Sequence, residues 1–159
     1  MGSRLLVAGA DPTANYNKAT REAARLGFVS MLELFFRSGV KLTGFKVGPL
    51  SAASANNQIT VIKFLLTLPG LTSQEMESAC WRAFANGHAK ALCLVLEAGG
   101  NISPNDLVRN MLEQTSVKCF RVLQRFGYQL APFADEIIWR AALGRGGPQS
   151  SNHRARFLS

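Results

Sequence analysis

The sequence predicts an all-α protein: a helical-hairpin solenoid with about four full units and partial units at its ends. The first observation is a set of glycines that follow short apolar stretches at spacings of 30, 31, 29 and 28 residues, namely Gly9, Gly39, Gly70, Gly99 and Gly127. The second is a series of small or apolar pairs that recur at a similar interval. The third is composition, since 47% of the 159 residues are hydrophobic and 18% are charged, which is typical of a chain that buries a core.

Each predicted unit contains a first short helix, a turn, a second helix and a closing glycine. The first helices carry the small or apolar pairs Ala23-Ala24, Ala52-Ala53, Ala83-Phe84, Met111-Leu112 and Ala141-Ala142. The turns lie at Gly27, Asn57 and Gly87, residue types that accept the left-handed conformation. Two helices of roughly ten residues cannot bury their own apolar faces, so neighbouring units are expected to stack.

The linkers carry signals for the starts of helices. Thr72 precedes Glu75 at the spacing of a capping box, and Ser103 precedes Asp106 in the same way. Proline is tolerated in a first helical turn, where Pro49 and Pro104 are predicted to lie. The acidic pairs Glu75/Glu77 and Asp135-Glu136 are therefore interpreted as helix-start residues that offset the helix dipole, and not as catalytic carboxylates.

Three segments resemble the ankyrin repeat, whose period is about 33 residues. Residues 47–53 (Val-Gly-Pro-Leu-Ser-Ala-Ala) resemble its opening Thr-Pro-Leu-His-x-Ala-Ala, residues 86–88 (Asn-Gly-His) resemble its Gly-His turn, and residues 5–12 resemble the end of a unit. The resemblance covers roughly residues 4–143 and implies a protein-binding scaffold with shortened loops. A helical-hairpin solenoid outside this family is the alternative.

The resemblance also divides the chain. Residues 1–143 are interpreted as an ankyrin-like repeat array and residues 144–159 as a flexible, basic, Gly/Ser-rich tail. Because the array begins in the middle of a unit, we interpret it as a segment cut from a longer array at its N-terminal end, with a degenerate first cap as the alternative.

The net charge of +8 comes from 18 Lys and Arg against 10 Asp and Glu. The basic residues are scattered, which favours a protein partner with an acidic segment over nucleic acid. No stretch of about 18 apolar residues is present, so no membrane span is predicted. The odd number of cysteines without paired spacing indicates a reducing compartment. We expect a monomer in the cytoplasm, with the nucleus as the other compartment.

Catalysis, a metal site and a cofactor are not predicted. His88 occupies a turn where the ankyrin family keeps a histidine for structural hydrogen bonding. Cys80, Cys93 and Cys119 lie among apolar residues, and neither Cys80 nor Cys93 has zinc-ligand spacing to His88.

The predicted recognition surface lies along the first helices, which line the concave side of such an array. The residues before the small pairs form columns at intervals of 30, 30, 28 and 30: Arg21-Glu22, Ser51-Ala52, Trp81-Arg82, Arg109-Asn110 and Trp139-Arg140. Trp and Arg are enriched where interfaces concentrate their binding energy. The predicted partner-binding residues are Arg21, Glu22, Trp81, Arg82, Asn86, Arg109, Asn110, Trp139 and Arg140.

Two alternatives remain open for this surface. Each tryptophan could instead pack sideways against the adjoining unit. The groove could also bind or process a small molecule, with Trp and Arg enclosing an apolar anion.

Overall fold

The computed structural model describes residues 12–103, 107 and 116–129. This part of the chain forms α-helices and no strands, which confirms the all-α prediction for it. The helices are α1 (Pro12–Leu26), α2 (Val29–Arg37), α3 (Pro49–Ala55), α4 (Ile59–Leu66), α5 (Ser73–Ala85), α6 (Ala89–Glu97) and α7 (Val117–Arg125).

Contacts divide the chain into two units, Met1–Gly127 and Tyr128–Ser159. All seven helices belong to the first unit, and the structure describes only Tyr128 and Gln129 of the second. The predicted boundary at residue 143 and the tail of residues 144–159 lie outside the described residues.

Six of these helices form three hairpins: α1 with α2, α3 with α4, and α5 with α6. Their turns are closed by Gly27, Asn57 and Gly87, whose φ angles are 84°, 56° and 74°. These positive values confirm the predicted turns, and asparagine is among the few residue types with a side chain that visit this region routinely.

Successive hairpins pack against one another in chain order. The first helices contact in the sequence α1, α3, α5, and the second helices contact in the sequence α2, α4, α6, α7. Within each hairpin the first helix also contacts the second. The apolar residues that one hairpin cannot bury by itself are therefore covered by its neighbour.

The small pairs lie at the centre of this packing, but one of them was predicted wrongly. Ala23-Ala24, Ala53-Ser54 and Ala83-Phe84 are almost completely buried and recur every 30 residues, whereas Ala52 is only half-buried. Each buried pair lies four and three residues before its turn residue, so the turn sets the register. The prediction looked for two alanines and therefore chose Ala52-Ala53, because Ser54 is polar.

The ends of the helices follow the predicted signals. The Thr72 hydroxyl oxygen accepts a hydrogen bond from the backbone N–H of Glu75 at 3.2 Å and caps α5. Pro49 occupies the first turn of α3, while Pro104 lies outside the described residues. The glycines beyond the second helices have positive φ angles, at Gly39, Gly70, Gly99 and Gly127.

Candidate functional site

Five of the nine predicted partner-binding residues lie in the part of the chain that the structure describes. Arg21 and Glu22 are on α1, Trp81 and Arg82 are on α5, and Asn86 directly follows α5. The other four lie outside the described residues: Arg109, Asn110, Trp139 and Arg140.

The exposed column of the first helices consists of Glu22, Ala52 and Arg82. The side chains of Glu22 and Arg82 are exposed, and Ala52 on the intervening helix α3 is half-buried. Ser51 was expected on this surface beside Ala52, but it is almost completely buried. Its Oγ forms a hydrogen bond of 3.0 Å with Ser78 Oγ, because α3 is enclosed by α1 and α5.

Glu22 is occupied by a cation of its own helix. Its carboxylate accepts two hydrogen bonds from the Arg25 guanidinium, at 2.9 and 3.0 Å. The hydrogen bond from Arg25 and the nearby charges hold the pKa of Glu22 below its usual value. This pair neutralises one acidic and one basic group at the α1 end of the column.

Arg21 and Arg82 form no ion pair with another described residue. In the part of the chain that the structure describes, the Glu22–Arg25 pair is the one ion pair within bonding distance. Arg21 and Arg82 are both exposed.

Trp81 combines internal packing with partial exposure. Its ring lies 6.4 Å from that of Phe84, at an interplanar angle of 42°. Phe84 in turn packs edge-to-face on Phe120 of α7, at 5.9 Å and 89°. Phe84 is completely buried, whereas Trp81 keeps part of its surface in solvent beside Arg82.

Asn86 has a structural contact. Its side-chain Nδ2 donates a hydrogen bond to the backbone oxygen of Arg82 at 2.8 Å. Asn56 makes the equivalent bond to Ala52 at 2.9 Å, one unit earlier. Both amides satisfy carbonyls at the end of a first helix, which leaves the amide oxygen and the second N–H of Asn86 for a partner.

Helix α3 forms the low part of this surface. Between the long side chains of α1 and α5 it presents the half-buried Ala52 and Ala55, while Leu50 and Ser54 are completely buried.

Ser78, which was not among the predicted residues, is a neighbour of this surface. Ser78 is partly exposed and lies three and four residues before Trp81 and Arg82, so all three share one face of α5. The helical spacing was the signal that could have identified it.

The predicted structural role of His88 is confirmed. Its Nε2 lies 3.1 Å from the backbone oxygen of Ala55 in the preceding hairpin. Gln58 occupies the same place one hairpin earlier and donates from Nε2 to the backbone oxygen of Arg25 at 2.9 Å.

The cysteines have the character of protonated thiols. Burial raises the pKa of Cys80 to about 12 and that of Cys119 to about 11. Partial burial and a hydrogen bond to Glu97 also raise the pKa of Cys93. A thiol of this kind is a weak nucleophile at neutral pH.

The described residues show neither a metal-binding cluster nor a membrane-spanning helix. They contain no cluster of three or more His, Cys, Asp or Glu side chains that could hold a metal ion. None of their helices has the length and apolar character needed to cross a bilayer.

No protein-family model matches the chain, and neither the curated proteins nor the solved structures contain a match.

Proposed function

We propose that this chain is a non-catalytic protein-binding module, an ankyrin-like solenoid that binds a partner segment along the first helices. One observation carries the proposal. Arg82 is exposed without an acidic partner in the described part of the chain, beside the partly exposed Trp81. Both lie at the edge of the low surface that Ala52 forms on α3.

The order of packing supports the solenoid. Each hairpin contacts the next, and turn, buried pair and inter-hairpin hydrogen bond recur at 30-residue intervals across the described hairpins. Such an array stabilises an extended surface that no single hairpin could form, which is the property that repeat proteins use for binding.

Charge supports an acidic partner. The chain carries a net charge of +8, and Arg21 and Arg82 flank the low surface without acidic partners among the described residues. Exposed charge pairs contribute mainly to the association rate and to specificity, and they are screened by salt. Binding to the first helices is therefore expected to weaken as ionic strength rises.

The test is a comparative pulldown from native lysate with the full chain as bait. Arg82→Glu and the double variant Arg82→Ala/Arg140→Ala are expected to lose the captured proteins and to keep their helical circular dichroism. Arg121→Glu is the matched control, because Arg121 is an exposed arginine on α7, outside the predicted partner-binding residues. Partners that remain bound to both Arg82 variants would refute the assignment of this surface.

A further inference from the structure

A second concave feature lies between two inter-hairpin loops. The loop of residues 38–48 follows α2, and the loop of residues 67–72 follows α4. Between them is an open groove of about 470 Å³, lined by Gly39, Gly70 and the side chains of Phe36, Val40, Lys41, Leu42, Thr43, Leu68 and Pro69. Five of these seven side chains are apolar.

The groove combines a buried floor with an exposed aromatic side chain. Val40 and Leu42 are 7% and 2% exposed and belong to the core. Phe36 is 44% exposed and is one of seven large hydrophobic side chains that the described residues leave exposed. Covering Phe36 would remove apolar surface from water and stabilise a complex.

Hydrogen bonds hold the two walls of the groove together. The Thr43 hydroxyl donates to the backbone oxygen of Pro69 at 2.8 Å and joins one loop to the other. The backbone N–H of Gly44 donates to Glu75 Oε2 at 2.7 Å and joins the first loop to α5. The groove is therefore formed before a partner arrives, which lowers the entropic cost of binding.

The charge around the groove is mostly positive, and the exposed Glu33 on α2 lies three residues before Phe36. Residues 34–74 contain no Asp or Glu and four basic residues, Arg37, Lys41, Lys46 and Lys63, all with exposed side chains. The next carboxylate, Glu75, is completely buried and directed at the backbone of Gly44, so it cannot pair with these cations on the surface.

We infer that this loop groove is a second docking surface, and that its occupant is an acidic segment of another protein whose apolar side chains cover Phe36. The carboxylates of the segment would meet Lys41 at the groove and Arg37 and Lys46 beside it. This site is built from residues other than those of the first-helix surface, so the two can fail independently.

The lining favours a protein segment over nucleic acid. Nucleic acid is bound by grouped cations that contact successive phosphates, and its bases are held by stacking or by polar groups. Here Lys41 is the one cation of the lining, and the other lining side chains are aliphatic apart from Phe36 and Thr43. A protein segment in which acidic and apolar side chains alternate would match this lining.

The probe is a fluorescein-labelled twelve-residue peptide in which Glu alternates with Leu and Phe, titrated against the full ¹⁵N-labelled chain. We expect saturable anisotropy and amide shift changes concentrated in residues 36–43 and 67–70. Lys41→Glu should weaken binding about tenfold, and Phe36→Ala should do so by a similar factor.

Two controls separate this site from the rest of the basic surface. Lys63→Glu carries the same charge change on α4, outside the groove lining, and should alter affinity by no more than about twofold. Arg82→Glu should leave peptide binding unchanged even where it abolishes capture through the first helices.

Three results would overturn the inference. The first is equal affinity for a peptide with Ser in place of Leu and Phe, which would show that charge alone attracts it. The second is equal weakening by Lys41→Glu and Lys63→Glu. The third is tighter binding of a twelve-nucleotide single strand at the same amides, which would assign the groove to nucleic acid.

Discussion

Glu75 Oε2 accepts a hydrogen bond from the backbone N–H of Gly44 at 2.7 Å, a contact that joins α5 to a loop 31 residues earlier in the chain. The side chain of Glu75 is completely buried. Its Oε1 has no hydrogen-bond partner within the described residues. Burial raises the pKa of Glu75, and the backbone N–H groups of Gly44, Thr72 and Phe45 oppose that rise.

This buried carboxylate predicts a pH-dependent contribution to stability. Because the folded pKa of Glu75 is raised above 4.5, the native state binds the proton more tightly than the unfolded chain does. The contribution of Glu75 to the free energy of unfolding is therefore complete below that value and declines as the pH rises through the folded pKa.

The measurement compares urea unfolding of the original protein and Glu75→Ala. We expect the variant to lose about 1–3 kcal/mol, because Gly44 loses its hydrogen-bond partner, with the larger loss at the acidic end of the range. Glu77→Ala is the control, since Glu77 lies two residues away with a partly exposed side chain. A loss that grows with rising pH would contradict the assignment.

Two serines of α3 predict opposite effects of the same substitution. Ser54 is completely buried and its hydroxyl has no hydrogen-bond partner among the described residues, whereas Ser51 is bonded to Ser78. We expect Ser54→Ala to raise the free energy of unfolding by about 1 kcal/mol and Ser51→Ala to lower it by a similar amount. Thermal and urea unfolding measure both changes, and equal signs would contradict the hydrogen-bond assignment.

Much of the helical framework was predictable because its signals are local. Glycine and asparagine mark the turns at Gly27, Asn57 and Gly87, and Thr72 with Glu75 marks a helix start. The buried pair in α3 was misplaced by one residue, because Ser54 looks polar in the sequence and is buried by the neighbouring hairpins. Burial at that position is set by stacking, which residue type alone does not reveal.

The exposure of a surface residue was predictable from the sequence only where it depends on the distance of that residue from the turn. Arg82 lies on an exposed column for that reason, and Ser51 is buried because α1 and α5 enclose the short helix α3. The burial of Glu75 and the loop groove depend on how the 38–48 loop sits against the next unit. These contacts join residues about 30 positions apart, and no local pattern encodes them.

The equivalence of Gln58 and His88 predicts that one can replace the other. Both side chains use a nitrogen to reach a backbone oxygen 33 residues earlier in the chain. We expect His88→Gln to keep the free energy of unfolding nearly unchanged and His88→Ala to lose about 1 kcal/mol. Chemical denaturation checks this, with Gln58→Ala as the parallel loss in the preceding hairpin; equal losses for the Gln and Ala variants of His88 would show that the contact contributes little.

Gly27 and Gly39 have the same φ of 84° but different surroundings, which separates backbone strain from contact. A Cβ at Gly27 would lie 2.6 Å from Gln58 Oε1, whereas a Cβ at Gly39 would meet nothing within 4 Å. We expect Gly39→Ala to cost about 1 kcal/mol through strain, and Gly27→Ala to cost about 1 kcal/mol more because Gln58 must release the backbone oxygen of Arg25. A double-mutant cycle with Gln58→Ala measures this difference by urea unfolding. In the Gln58→Ala background, Gly27→Ala should cost no more than Gly39→Ala. If the extra cost of Gly27→Ala persists there, the strain lies in the backbone alone.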